Sequence, residues 1–291
     1  MQDVLLAVFG GIPLGATYVL IALGMVIIYR TTGTFNLAHG QFMALAAFIL
    51  ADWQSRDAGP FVVGLIVAIA AAGLIAALFY RLVLARTVGQ PHWIAFVATL
   101  VIGIGLDALM SILFPQSGYN ITIPGMPGST LSIFGVKIAA SSVVVAGVGI
   151  VLAALCIALL RFTRLGIQVR AAGQDSVLAS QGGIHVRRMY IGAWVIGGVL
   201  AAIAGILYGS TSIVDSSMSG LGLIAIPALV LGGLDSFEGA VAGGLIVGIV
   251  QGFITVYLGG QWVNPVTYTL LLVVLLVLPR GLFGTQEVLK V

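Results

Sequence analysis

Three strongly polar side chains, Asn36, His39 and Gln41, stand at the mouth of a short apolar run, in Gly33-Thr34-Phe35-Asn36-Leu37-Ala38-His39-Gly40-Gln41. A second polar interruption, Leu231-Gly232-Gly233-Leu234-Asp235-Ser236-Phe237-Glu238-Gly239, carries two acids and a serine. A lone acid, Asp107, lies inside a third apolar stretch. An amide, an imidazole and carboxylates in apolar surroundings can hydrogen-bond or charge-pair a small polar solute. They do not by themselves make a covalent catalyst. If 36–39 is helical, Asn36 and His39 share a face; the same residues also suit the hydrated end of a helix, with Arg30 just upstream. Asp235 and Glu238 fit either a solute route or a turn that caps the next helix, where acids are favoured. An acid at membrane depth is costly and faces a bundle interior or a cavity, so Asp107 is expected to meet a hydroxyl, an amide or water.

Other chemistries find no residues. The only lysines are Lys137 and Lys290, and neither follows a glycine, so no phosphate-binding loop of the Gly-Lys-Ser/Thr type exists. Gly103-Ile104-Gly105-Leu106-Asp107-Ala108 imitates a dinucleotide fingerprint. That motif needs a strand, a turn and a helix opening in water, and this one sits in an apolar run. The three histidines, His39, His92 and His185, are scattered. Neither a metal site nor a catalytic constellation is expected.

The elements that must position these residues are membrane helices. Apolar residues make up 60% of the 291 and charged residues 7%, and the mean hydropathy is +1.19. Soluble domains carry roughly 25% charged residues; this chain cannot cover a water-facing surface. A bilayer-spanning helix needs about 20 apolar residues, and the candidate spans are 4–29, 35–51, 61–80, 93–114, 139–160, 190–213, 221–234, 240–258 and 266–278. The fold class is all-α and polytopic, with about 8–9 transmembrane or half-membrane helices in one domain, 1–291. Long continuous runs exclude the alternating segments of a barrel.

With the N-terminus outside, ten of twelve basic residues fall inside: Arg30, Arg81, Arg86, Arg161, Arg164, Arg170, Arg187, Arg188, Arg280 and Lys290. Only Arg56 and Lys137 remain outside. The positive-inside rule therefore favours N-out, C-in, and it explains a pI near 9.2 better than nucleic-acid binding does. The first run is long and lacks a basic leader, so it is expected to be a helix, not a cleaved signal. The single cysteine, Cys156, excludes an intrachain disulfide.

The two polar interruptions each follow a long glycine-containing span, 4–29 and 190–213, and on this topology those spans run in opposite directions. Interrupted segments at corresponding places of inverted halves are the best sequence pointer to a transport route. An inverted repeat is expected. Gly205/Gly209, Gly239/Gly243 and Gly244/Gly248/Gly252 recur at four-residue spacing. Small residues let helix backbones approach closely in lipid. Packing inside the chain is the first reading for these faces, a subunit interface or pore wall the second.

The longest polar stretch, 161–189, carries five arginines against Asp175, net +4. Within it, 175–183 reads as a short helix capped by Asp175 or Ser176 and stopped by Gly182 or Gly183. Val177, Leu178 and Ile184 would then be presented on a cytosolic knob. That suits a docking element for a partner better than a helix lying on the membrane surface.

Several pieces in order resemble the permeases of branched-chain amino-acid ABC importers, specifically the shorter of the two permease types. They are Tyr18-Val19-Leu20-Ile21-Ala22-Leu23-Gly24; Asn36 to Gln41; Arg170-Ala171-Ala172-Gly173-Gln174-Asp175 followed by Gly183-Ile184; Val230 to Ser236 running into Gly239-Ala240-Val241-Ala242-Gly243-Gly244; and the tail Pro279-Arg280-Gly281-Leu282-Phe283-Gly284. The resemblance runs over essentially the whole chain. It implies a multi-pass protein of a bacterial or archaeal cytoplasmic membrane, set in lipid and paired with a longer permease, two cytosolic ATPase subunits and an external or periplasmic solute-binding protein. ATP and magnesium would belong to those partners, and no nucleic acid is involved.

By the same resemblance, Arg164, Arg170, Asp175, Val177, Leu178, Gly183 and Ile184 would dock into the ATPase. Asn36, His39, Gln41, Asp235, Ser236 and Glu238 would lie along the route; Asp107, an acid inside its own span, is placed with them on its chemistry and not by the resemblance. The family usually has Phe at Leu37, Glu at Gln41, and Gly and Pro at Asp235 and Glu238, so the solute stays open between a branched-chain amino acid and an amide, urea or small organic acid. Rival readings are an ion-coupled secondary transporter using Asp107, Asp235 or Glu238, a passive homo-oligomeric channel, and a membrane enzyme, the last without a catalytic constellation.

Overall fold

The computed structural model describes residues 1–87, 89–115, 118–125, 128–133, 135–278 and 280–284. Pro279 of the tail motif and Lys290 of the charge tally lie outside them. Among the described residues, seven helices are long and apolar enough to cross a membrane. In chain order the helices are α1 (Gln2–Thr32), α2 (His39–Ser55), α3 (Phe61–Leu82), α4 (His92–Leu113), α5 (Ala140–Phe162), α6 (Arg164–Gln174), α7 (Ser176–Gln181) and α8 (Val186–Gly209). Then follow the short α9 (Leu221–Ile224) and α10 (Ile226–Gly232), and finally α11 (Phe237–Tyr257) and α12 (Val263–Val277). The span expected at 35–51 starts later, at His39, because 33–38 is not helical. The span expected at 221–234 is split into α9 and α10, preceded by a 3-10 turn at Ser216–Gly220. One small antiparallel hairpin, β1 (Thr130–Ile133) with β2 (Val136–Ala139), lies between α4 and α5 and was not foreseen.

The axis of the bundle is α1, which packs along α11 and also against α8 and α5, while α2 and α3 pack on α8. Lipid tails give apolar side chains no reason to cluster, so close backbone contact must hold these helices together. The α1–α11 seam is built for that. A methyl group on Gly15 would press on Leu245 Cα at 3.1 Å, and one on Gly244 would meet the Val19 backbone N at 2.7 Å. Gly248 lies directly against Gly15, and Gly252 against Ala7 and Gly11. Elsewhere Gly205 rests on Met43, Gly209 on Val214 and Ile121, Gly239 on Gly232, and Gly243 on Ala228. A buried polar relay ties the same region: Tyr18 Oη donates to Gln251 Oε1 at 2.8 Å, and Gln251 Nε2 donates to Thr267 Oγ1 at 3.0 Å.

The helix ends gather in two sets. At one, the Arg30 guanidinium lies over the Phe237 ring at 5.0 Å and Arg161 pairs with Glu238 at 3.7 Å. At the other, Gln54 Nε2 donates to the Thr122 carbonyl at 2.6 Å and Tyr119 bridges to Val214. Between them, large apolar side chains such as Ile104, Leu155 and Leu276 face outward at 60–76% exposure. Patches of that kind belong in lipid or against another subunit.

Overpacking a tight seam costs about 1–3 kcal/mol, and more where backbone blocks relaxation. Gly248→Leu should therefore fall at or above that range, and Gly243→Leu should follow it. Gly147→Ala, which meets nothing within 4 Å, should leave the protein unchanged. Thermal unfolding of the three purified variants checks the ranking; equal midpoints for all would overturn the seam argument.

Candidate functional site

The first interruption is a break in the backbone. α1 ends where Gly33 takes a left-handed conformation, φ 66°, and its N–H caps the Tyr29 carbonyl. The chain then doubles back. His39, the first residue of α2, ends up beside Gly24, where a methyl group would touch the imidazole at 2.8 Å. That contact lies about two turns back from the end of α1. Irregular backbone at such depth must find its hydrogen bonds in protein. Here Asn36 Oδ1 accepts from the Ala38 N–H at 3.0 Å, and Thr99 Oγ1 of α4 accepts from the Leu37 N–H at 3.2 Å. Thr99 in turn donates to the Phe96 carbonyl at 2.8 Å.

This geometry corrects two expectations. Asn36 stands outside the helix, so it shares no helical face with His39. Neither is a hydrated end: Asn36 is 2% exposed and His39 0%. Among the described residues, Asn36 Nδ2, both ring nitrogens of His39 and Trp194 Nε1 are buried without a hydrogen-bond partner. Gln41 and Asp107 are brought together, Nε2 donating to Oδ2 at 3.0 Å. Beside them, Asp107, Phe48, Ser111, Phe114 and Asp215 line a cavity of about 510 Å³ between α2, α4 and the 3-10 turn.

The two interrupted regions meet, though not where the sequence pointed. Gly40, at the start of α2, lies against Ser219 and Gly222, and a methyl group on Gly222 would strike the Gly40 Cα at 2.7 Å. The contact is backbone on backbone, so larger residues could not keep it. Ser219, Gly222 and Thr99 were not singled out from the sequence; the only available signal was the run of small residues before a split apolar segment. The turn 233–236 is separate. Ser236 caps α11, its Oγ accepting from the Gly239 N–H at 2.9 Å. The cap is therefore Ser236, and not the neighbouring acids. Glu238 sits exposed in the first turn of α11 and pairs with Arg161, while Asp235 is half-buried.

In 161–189 the chain forms two helices. α6, unforeseen, is docked: Arg170 donates to the Leu160 carbonyl, Gly166 rests on Leu160, and Gly173 rests on Arg30. α6 opens at Arg164 under a Thr163 cap, whose Oγ1 accepts from the Gly166 N–H at 3.2 Å. α7 packs on α6 and the start of α8 through buried Ala179, and leaves its other side chains exposed. Asp175 Oδ1 accepts from the N–H groups of Val177 and Leu178, both at 2.9 Å, and Gly183 supplies the left-handed stop at φ 83°. Val177 and Leu178 are each 64% exposed, whereas Ile184 is half-buried. No group of three histidine, cysteine or acidic residues that could hold a metal occurs among the described residues.

Comparisons with known proteins follow the same outline. Residues 7–278 match the family model described as branched-chain amino acid transport system, permease component. The chain is 32% identical to the high-affinity branched-chain amino acid transport system permease protein LivH of Salmonella typhimurium, over 97% of this chain and 96% of that protein. It is 30% identical to the corresponding permease protein BraD of Pseudomonas aeruginosa, over the same shares. Among solved structures, PsaBC from Streptococcus pneumoniae in complex with Fab matches with a TM-score of 0.50 and 15% identity, covering 93% of this chain and 91% of that one. That last likeness concerns the fold alone.

Removing the outside support of the break tests its architecture. Thr99→Val leaves the partly buried Leu37 N–H without its protein partner, a loss of about 1 kcal/mol. A lowered unfolding midpoint with normal membrane insertion is the expected outcome, and an unchanged midpoint would show that 33–38 does not rely on α4.

Proposed function

This chain belongs to the family of branched-chain amino acid transport system permease components, and from that premise we propose the working role of each part. It is the multi-pass permease subunit of an ATP-driven importer, in the cytoplasmic membrane, for branched-chain amino acids or a related small polar solute. The observation that carries this is the family match along nearly the whole chain. A permease of such a system works with partner subunits, and the chemistry is movement without covalent change to the solute. No phosphate loop is present, so energy must come from those partners.

The finer reading assigns a longer second permease, two cytosolic ATPase subunits and an external or periplasmic binding protein, with the N-terminus of this chain outside. The solute route passes the contact of the two interrupted segments. The Asp107 carboxylate, held by Gln41, suits an ammonium group. The opening turn of α2 at Gly40 and Gln41 offers free N–H groups and a positive dipole end to a carboxylate. The buried, unpartnered nitrogens of Asn36 and His39 are groups that a solute or water would satisfy. Closed packing there fits a permease at rest; opening would part the α2 start from Ser219 and Gly222. Asp235, Ser236 and Glu238 lie at the arginine-rich end, where the route would leave the bundle. α7, with its exposed Val177 and Leu178 on a capped stem, is the ATPase contact; α6 carries its motion to α1 and α5.

An unpaired carboxylate in an apolar contact costs several kcal/mol. Leu178→Asp should therefore cut uptake about tenfold or more, along with solute-dependent ATP hydrolysis, at normal expression. Full uptake would remove α7 from coupling. For the route, cysteines placed at 36 and 39, with Cys156→Ser, should react with small aqueous thiol reagents to an extent that changes with solute and nucleotide. Labelling that is absent in every state would make these residues purely structural.

A further inference from the structure

Where α3 ends and α8 begins, arginines collect around open space. A cavity of about 650 Å³ is lined by Arg81, Arg86 and Arg187, with Leu82 at its edge and Tyr80 and Tyr190 as its inner wall. The two tyrosine rings meet edge to face at 6.0 Å. A neighbouring cavity of about 660 Å³ shares Arg81 and Arg187 and adds Arg188 and His185. No acid lines either space, and among the described residues none of these four arginines takes part in an ion pair. α8 starts at the rim without a side-chain cap, which adds the positive end of a 24-residue helix.

Helix ends in membrane proteins commonly carry scattered arginines, but here they converge on one concave space. The space therefore selects an anion, and guanidinium groups match phosphate geometry in particular. A second feature says which kind. Leu74, Leu78 and Leu82, at four-residue spacing on α3, are 60%, 42% and 53% exposed. They form one apolar stripe that runs up to the arginines, and Leu82 itself lines the cavity. A ligand with a phosphate at one end and hydrocarbon at the other satisfies both surfaces at once. A soluble anion would leave the stripe bare, and an acidic protein surface would have to cover apolar side chains at membrane depth.

We propose that this cavity is a binding site for an anionic phospholipid, its phosphate held by Arg81, Arg86 and Arg187 and its acyl chains laid along the leucine stripe of α3. Basic pockets between transmembrane helices bind headgroups by this physics. The adjoining cavity, which shares Arg81 and Arg187 with the site, is also lined by Gly183 and Ile184 just after α7. A bound lipid would therefore brace the stem from which α7 projects. The assignment holds whichever solute is carried.

The test uses full-length permease, with any subunits that co-purify, in equal amounts of phosphatidylglycerol and phosphatidylcholine, read by native mass spectrometry of retained lipid. Phosphatidylglycerol should be retained about tenfold over phosphatidylcholine, and Arg81→Gln or Arg187→Gln should each lower that preference about fivefold. Arg56→Gln, at the opposite end, should not change it. Arg187→Lys, which keeps the charge, should keep most of it. Equal retention of the two lipids overturns the proposal. So does a preference untouched by the Gln variants, even if they shed partner subunits, since the cavity is then a protein contact. Displacement of the retained lipid by inorganic phosphate alone overturns it in favour of a soluble anion. Should a Gln variant fail to assemble, photoreactive phosphatidylglycerol on the unaltered protein decides: adducts at 80–86 and 186–190 support the site, and adducts only elsewhere overturn it.

Discussion

Everything in this bundle depends on how closely α1 can approach α11. In a bilayer the surroundings of a helix are as apolar as its own side chains, so burial of leucine supplies no cohesion. What remains is contact area, and glycine at four-residue spacing gives the most by letting backbone touch backbone. Gly11 and Gly15 on one helix face Gly244, Gly248 and Gly252 on the other. The Tyr18–Gln251–Thr267 relay adds directional bonds in the same place. With α1 pinned along its length, its far end can project beyond the seam and let the chain turn back.

That return is the second constraint. Between the Gly33 N–H, which closes α1 on Tyr29, and the Ala38 carbonyl, which opens α2 on Phe42, residues 34–37 run without helical hydrogen bonds, and each buried amide needs an acceptor. Asn36 supplies one from within the turn and Thr99 supplies another from α4. The break is therefore held jointly by local sequence and by a helix sixty residues away. Its neighbours Gly40, Ser219 and Gly222 meet without side chains between them. Like the α1–α11 seam, this junction is held by close backbone approach.

The arginine-rich end couples this core to its surroundings in two ways. α6 is bolted to α1 and α5 through Gly173, Gly166 and Arg170, while α7 is kept outside on a short capped stem. Through α6, α7 is joined to α1 by packing. The arginines of α3 and α8 line two adjoining cavities, with the exposed leucines of α3 beside them.

Periodicity and composition determined the fold class and the approximate spans, because a bilayer dictates length and polarity so strictly; the family resemblance came from ordered motif residues such as Asn36 to Gln41 and Arg170 to Asp175. The Asp175 cap and the Gly183 stop were also legible, since capping depends on neighbours within one turn. The sequence located the polar interruption at 33–41, and the identity of Asp107 already required a buried partner. What only tertiary structure decided is who meets whom. Whether Asn36 lies on a helix face or in a turn depends on Thr99, and the partner of Asp107 is Gln41, 66 residues away. The meeting of Gly40 with Gly222, the docking of α6, and the convergence of Arg81 with Arg187 have no local signature. Each rests on two distant stretches whose relative depth is set by packing, and packing depth is a property of the assembled bundle and not of any window of sequence.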